Sequence, residues 1–139
     1  MAKKRVIITA IVIIITVVAV LAFNYFCKQS SLIGTWEKVG LETWDGEFVP
    51  VDESQGSVRM VFRADGSGEI TTIEGQINNF TWSTEIIHNR PVLTIDDELT
   101  FFITYYYYVV SEDRLTLDLS VAIDSGPENL LVSVFERVD

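Results

Sequence analysis

The chain carries one histidine and one cysteine, so nucleophilic and metal chemistry have few residues to draw on. His88 falls in Ile87-His88-Asn89-Arg90-Pro91, a turn pattern in which a lone histidine is an ordinary surface residue. Cys27 has no histidine beside it in sequence, and no Gly-x-Ser-x-Gly elbow occurs. Zinc sites combine several Cys and His ligands, and one of each is a poor supply. Carboxylates are plentiful. Asp96-Asp97-Glu98 would meet Ca²⁺ only if its loop folded around the ion, and no Asp-x-Asp-x-Asp-Gly spacing occurs. Asp65-Gly66-Ser67-Gly68-Glu69 looks superficially like a cation loop, yet its glycines fit hairpin geometry. Gly66-x-Gly68 is followed by no helix that would make it a phosphate cradle. Paired carboxylates for glycoside hydrolysis are expected by chance among 20 acids. These residues predict a chain that is not an enzyme and holds no cofactor or metal.

Length and charge set the frame that must position any site. The 139 residues are 48% apolar with a net charge of −10. Residues 1–29 hold four bases (Lys3, Lys4, Arg5, Lys28) and no acid; residues 30–139 hold six bases against all 20 acids, a body at −14. A body of that charge repels phosphate, which argues against nucleic-acid binding. Val6 to Phe23 is an uncharged run just after Lys3-Lys4-Arg5. Its length matches the hydrocarbon core, and a lone span in lipid must be helical. Bases stay on the cytoplasmic side, so the body is expected outside the cytoplasm on a single-pass anchor. The competing reading is a cleaved signal peptide that releases the body; the apolar run is longer than the usual one, although Val20-Leu21-Ala22 is a tolerable cleavage site. Residues 1–5 form a basic cytoplasmic stub, 6–26 the transmembrane anchor, 27–31 a tether and 32–139 the folded domain. Asn24-Tyr25-Phe26 ahead of Cys27 is no lipobox. With no second cysteine in the chain, Cys27 has no internal disulfide to make, which leaves a dimer through Cys27, palmitoylation or no role.

The body shows period-two alternation and no sustained helical period. Leu115, Leu117, Leu119, Val121 and Ile123 alternate with polar or small residues, as do Val58, Met60 and Phe62, and Phe80, Trp82 and Thr84. Asp-Gly pairs at 45–46 and 65–66 and polar clusters at 89–91, 96–98, 111–114 and 124–127 mark turns. The pattern predicts strands near 33–41, 47–51, 57–63, 67–74, 77–87, 91–96, 99–110, 114–123 and 130–138. An all-β antiparallel up-and-down meander of eight or nine short strands points to a closed barrel, with a two-sheet sandwich as the alternative. The run Phe101-Phe102-Ile103-Thr104-Tyr105-Tyr106-Tyr107-Tyr108 belongs to the seventh of these strands. Placing its odd positions in the core leaves Phe102, Tyr106 and Tyr108 on the outer face. With Trp44 at a hairpin tip, they are the candidate contact aromatics for a partner chain, a glycan or a lipid surface.

Leu32-Ile33-Gly34-Thr35-Trp36 at the start of the body and Phe135-Glu136-Arg137 at its end resemble the calycin pattern of lipocalins and their bacterial lipocalin-like relatives. The Phe62 to Gly68 strand-turn, Phe80-Thr81-Trp82 and Leu115-Thr116-Leu117 are similar to the small bacterial forms. The resemblance spans nearly all of 32–138. It implies an opening Trp36 at the closed end of a barrel, with Arg137 packed across it as the barrel-closing pair. It also implies a small apolar ligand or peptide held inside. The sequence departs from the typical lipocalin in stopping at Asp139, where that family carries a C-terminal helix, and this departure favours a barrel filled by its own side chains. Two functions therefore compete: a membrane-tethered ligand binder, and a cell-envelope interaction or structural module with a filled barrel and an aromatic outer face. A cavity of about 300 Å³ or more would favour the first.

Overall fold

The computed structural model describes residues 1–43, 45–99, 103–119 and 132–139, with the backbone alone for 25–30. The chain divides into two units, Met1–Ser31 and Leu32–Asp139. The first is built by helix α1 (Ala2–Leu32). Its stretch Ala2–Asn24 has a mean hydropathy of 3.3 and is long and apolar enough to cross a membrane. At 1.5 Å per residue, that stretch rises about 35 Å. Thr9 and Thr16 are accommodated because their hydroxyls donate to the carbonyls of Arg5 and Val12, one turn back, at 2.9 and 2.8 Å. The helix is apolar on every side, which suits lipid and not the surface of a soluble domain. A signal sequence shares these properties.

The second unit is a barrel. Its strands are β1 (Gly34–Glu42), β2 (Phe48–Pro50), β3 (Arg59–Phe62), β4 (Ser67–Thr71), β5 (Ile77–Ile87), β6 (Arg90–Asp97), β7 (Ile103–Ser111), β8 (Arg114–Asp118) and β9 (Val132–Arg137). All pairings are antiparallel, in the ring order β1-β3-β4-β5-β6-β7-β8-β9, and β9 returns to β1. Eight strands thus close the sheet, and closure removes the edges that an open sheet would expose. β2 lies outside the ring. β1 gives Gly34–Glu37 to β3 and Gly40–Glu42 to β2 along the same edge.

Turn chemistry explains the meander. His88 and Asn89 have φ of 50° and 61°, the two left-handed residues that a tight β5–β6 hairpin needs. In the β3–β4 turn, Asp65 accepts from the Ser67 amide at 2.9 Å and the Ser67 hydroxyl at 2.6 Å. The inner face packs Trp36, Met60, Phe62, Phe80, Trp82, Leu93, Ile95, Leu115, Leu117 and Phe135 into one core. Phe62 meets both Phe80 and Trp82 edge-on, at 5.5 Å between ring centroids.

The facing of β7 is the reverse of the sequence expectation. Tyr108 is buried in the core and Tyr106 packs against it, whereas Ile103 and Val109 are exposed. Register decides this. Tyr106 lies opposite Leu93, Tyr108 opposite Leu117 and Val110 opposite Leu115, and directly paired residues share a face. The even positions therefore follow their inward partners. Tyr106 and Tyr108 are not outer contact aromatics. Tyr107 faces out instead, with the Arg90 guanidinium 3.7 Å from its ring centroid. Trp44 and Phe102 lie outside the described residues.

Candidate functional site

The two ends of the barrel differ. At one end, Arg137 and Trp36 are register partners on β9 and β1. The guanidinium lies 4.3 Å from the indole centroid, and Nη1 donates to the Ile33 carbonyl at 2.9 Å. Trp36 is fully buried, and its Nε1 donates to the Leu32 carbonyl at 2.8 Å. Asp113 and Asp139 stand 3.7 and 4.0 Å from the guanidinium nitrogens. Gly34 leaves the passage for this arginine: a Cβ there would sit 2.4 Å from Nη1, and its φ of 141° also disfavours a side chain. This end is filled. Trp82 adds to it by donating from Nε1 to the carbonyls of Arg63 and Ser67, at 3.1 and 3.0 Å.

Among the described residues, the other end is open. A cavity of about 250 Å³ enters the barrel there. Met60, Phe80, Ile95, Leu117 and Phe135 form its apolar walls, and Lys38, Asp97, Thr104, Tyr106 and Ser133 add polar groups. Alternation from Trp36 brings Lys38 to this position, just ahead of a β-bulge in β1. Lys38 pairs with inward Phe135, the register then skips Val39, and Gly40 pairs with Val134. Trp36 and Lys38 therefore point inward and Gly40 points outward. Burial lowers the Lys38 pKa from its ordinary 10.5, because the apolar wall disfavours the ammonium. Burial pushes the Tyr106 hydroxyl up, and a hydrogen bond with Thr104 partly opposes this.

The cations of the domain are otherwise engaged. Arg59 faces Glu37 at 3.6 Å, Arg63 pairs with Glu69, Arg90 faces Asp118 at 4.0 Å, and Arg114 lies 5.7 Å from the Phe48 ring centroid. Among the described residues, the Lys38 ammonium makes no ion pair or side-chain hydrogen bond, while its backbone amide donates to the Val58 carbonyl at 2.8 Å. Asp97 accepts from the Leu99 amide through Oδ1 at 2.9 Å. Among the described residues, one buried side-chain acceptor has no hydrogen-bond partner, Oδ1 of Asn78. No group of three or more His, Cys, Asp or Glu that would hold a metal occurs among the described residues.

Of the residues singled out from sequence, Trp36 and Arg137 come together, Tyr106 becomes a cavity wall, and Tyr108 joins the core. The sequence singles out neither Lys38 nor Asn78, and Asp97 enters there only within Asp96-Asp97-Glu98. Each is a single polar residue in a strand, and the register places them on the inward face with Trp36, Phe80 and Ile95.

No family model matches the sequence, and no curated protein matches it. Among solved structures, the chain is similar to a lipocalin-like protein from Bacteroides uniformis. The two are 16% identical, the match covers 78% of this chain and 99% of that one, and the TM-score is 0.45. The barrel itself is an eight-strand antiparallel meander closed by β9 on β1, preceded in the chain by an apolar helix.

Proposed function

We propose that the chain is a membrane-anchored binding module, and not an enzyme, whose barrel holds a small ligand with an apolar body. The observation that carries this reading is the cavity at the open end, whose apolar walls are set with a few polar groups. At about 250 Å³ it sits just under the usual range for small-molecule sites, which begins near ~300 Å³, so the ligand is small. The anchor reading is supported by the length and hydropathy of α1. Lys3, Lys4 and Arg5 ahead of the span support an extracytoplasmic body.

A second reading is favoured by the packed end of the barrel. Trp36, Phe62, Leu93 and Leu115 leave it solid, as in a scaffold that works through its outer face. One experiment separates the two readings. The full-length chain in lipid nanodiscs is titrated with small amphiphiles, hydrophobic amino acids and sterols while its melting temperature is followed. Saturable one-to-one binding, lost in the cavity-filling Leu117→Trp variant, supports the ligand binder. An unchanged melting temperature across the whole set, with an empty protein in native mass spectrometry, leaves the scaffold reading.

A further inference from the structure

The polar groups of the cavity are sorted by charge onto opposite walls. β1 and β6 stand four places apart in a ring of eight strands, so they face each other across the lumen. Lys38 on β1 brings a donor-only ammonium to one side. Asp97 on β6 brings a carboxylate to the other side. Only its Oδ1 has a hydrogen-bond donor among the described residues. Asn78 stands behind this wall: it lies opposite Ile70 and two positions from Phe80, the partner of Asp97, without lining the cavity.

Resting on the reading of the cavity as a ligand site, we infer that the barrel mouth takes a zwitterion with an apolar body, its anionic group on Lys38 and its ammonium on Asp97. Met60, Phe80, Ile95 and Phe135 would take the apolar body. An anion alone would leave the acceptor wall unanswered, and a cation alone would leave the ammonium of Lys38 unanswered. The cavity volume suits a hydrophobic amino acid or the end of a short peptide, and an ethanolamine phospholipid headgroup offers the same two charges.

The test compares four probes on the full-length chain in nanodiscs: L-phenylalanine, 3-phenylpropanoate, phenethylamine and neutral N-acetylphenylalaninamide. L-Phenylalanine is expected to bind at least tenfold more tightly than the other three. Lys38→Met should abolish its advantage over phenethylamine, and Asp97→Asn its advantage over phenylpropanoate. Circular dichroism confirms that each variant folds, and the wild-type probe series decides the matter even where a variant does not. Four equal affinities overturn the zwitterion while keeping the cavity as a ligand site. Binding of none of the probes overturns the ligand site and this inference together. An advantage that survives both Lys38→Met and Asp97→Asn also overturns the inference. Competition by ethanolamine lipid in the nanodisc assigns the site to headgroups; its absence assigns it to amino acids or peptide ends.

Discussion

Gly34, Trp36 and Arg137 act as one unit although they come from the two ends of the domain. The arginine ties the last strand to the first by stacking on the indole and donating to the Ile33 carbonyl. Trp36→Ala or Arg137→Ala is expected to lower unfolding free energy by about 2–4 kcal/mol in urea titrations, through a cavity or an unpaired carbonyl. Gly34→Ala should destabilise by about 1–3 kcal/mol, and by less in an Arg137→Ala background, where only the backbone strain persists. Equal loss in both backgrounds would remove the steric link. Lys38 gives a pH signature. The unfolded chain holds this proton up to 10.5, whereas the folded chain releases it earlier, so unfolding takes up protons in that window. Stability then rises with pH toward 10.5 as the buried charge is relieved. Lys38→Met is expected to be more stable than wild type at pH 7 in urea titrations, and the difference should shrink as pH approaches 10.5. A difference that stays constant with pH would show that the ammonium is fully solvated.

Strands announce themselves by alternation and turns by Asp-Gly and positive-φ residues, which is why most predicted segments lie close to the observed ones; the eighth, expected at 114–123, ends at Asp118, and 120–123 lie outside the described residues. Segment β5 was predicted at 77–87, and the strand is Ile77–Ile87. The facing of β7 was not legible, because Ile103 to Val110 is apolar or aromatic on both faces and carries no polar stripe of its own. Its neighbours β6 and β8 supplied the answer. The branch in β1 was equally hidden. Val39 looks like any strand valine, yet skipping it moves Gly40 outward. There the Phe48 ring of β2 lies where a Gly40 side chain would be, since a Cβ would stand 2.5 Å from it. Gly40 pairs with the fully buried Val134, so β2 is read as the cover of this outer patch. Phe48→Ala should lower stability by about 1 kcal/mol, half the value of a fully buried phenylalanine, and should speed hydrogen exchange at Leu41 and Glu42. Exchange that is unchanged there would show that β2 contributes no cover.

Charge is segregated twice along this molecule. The first division separates the basic stub from the acidic body, and it predicts that protease added to intact cells cleaves the body while leaving Lys3 to Arg5 protected. Full protection of the body would reverse the orientation. The second division lies within the barrel. Arg63, Arg90, Arg114 and Arg137 sit at the filled end, where Asp65, Glu112, Asp113 and Asp139 balance them. Glu42, Asp45, Glu47, Glu74, Asp96 and Glu98 cluster around the opposite connections. This distribution leaves the mouth negative although a lysine waits inside it. Ligands therefore meet the acids first and Lys38 only after entry. A cationic probe is drawn in by the rim and an anionic one is held off, and salt screens both effects over about 8–10 Å at physiological strength. Raising salt from about 0.02 to 0.5 M should slow phenethylamine association and speed that of phenylpropanoate, each several-fold, as read by stopped-flow fluorescence. For the zwitterion the two effects oppose, so its association rate should stay nearly flat. A parallel slowing of all three probes would mean that the rim does not sort ligands by charge and that selection, where it occurs, happens wholly between Lys38 and Asp97.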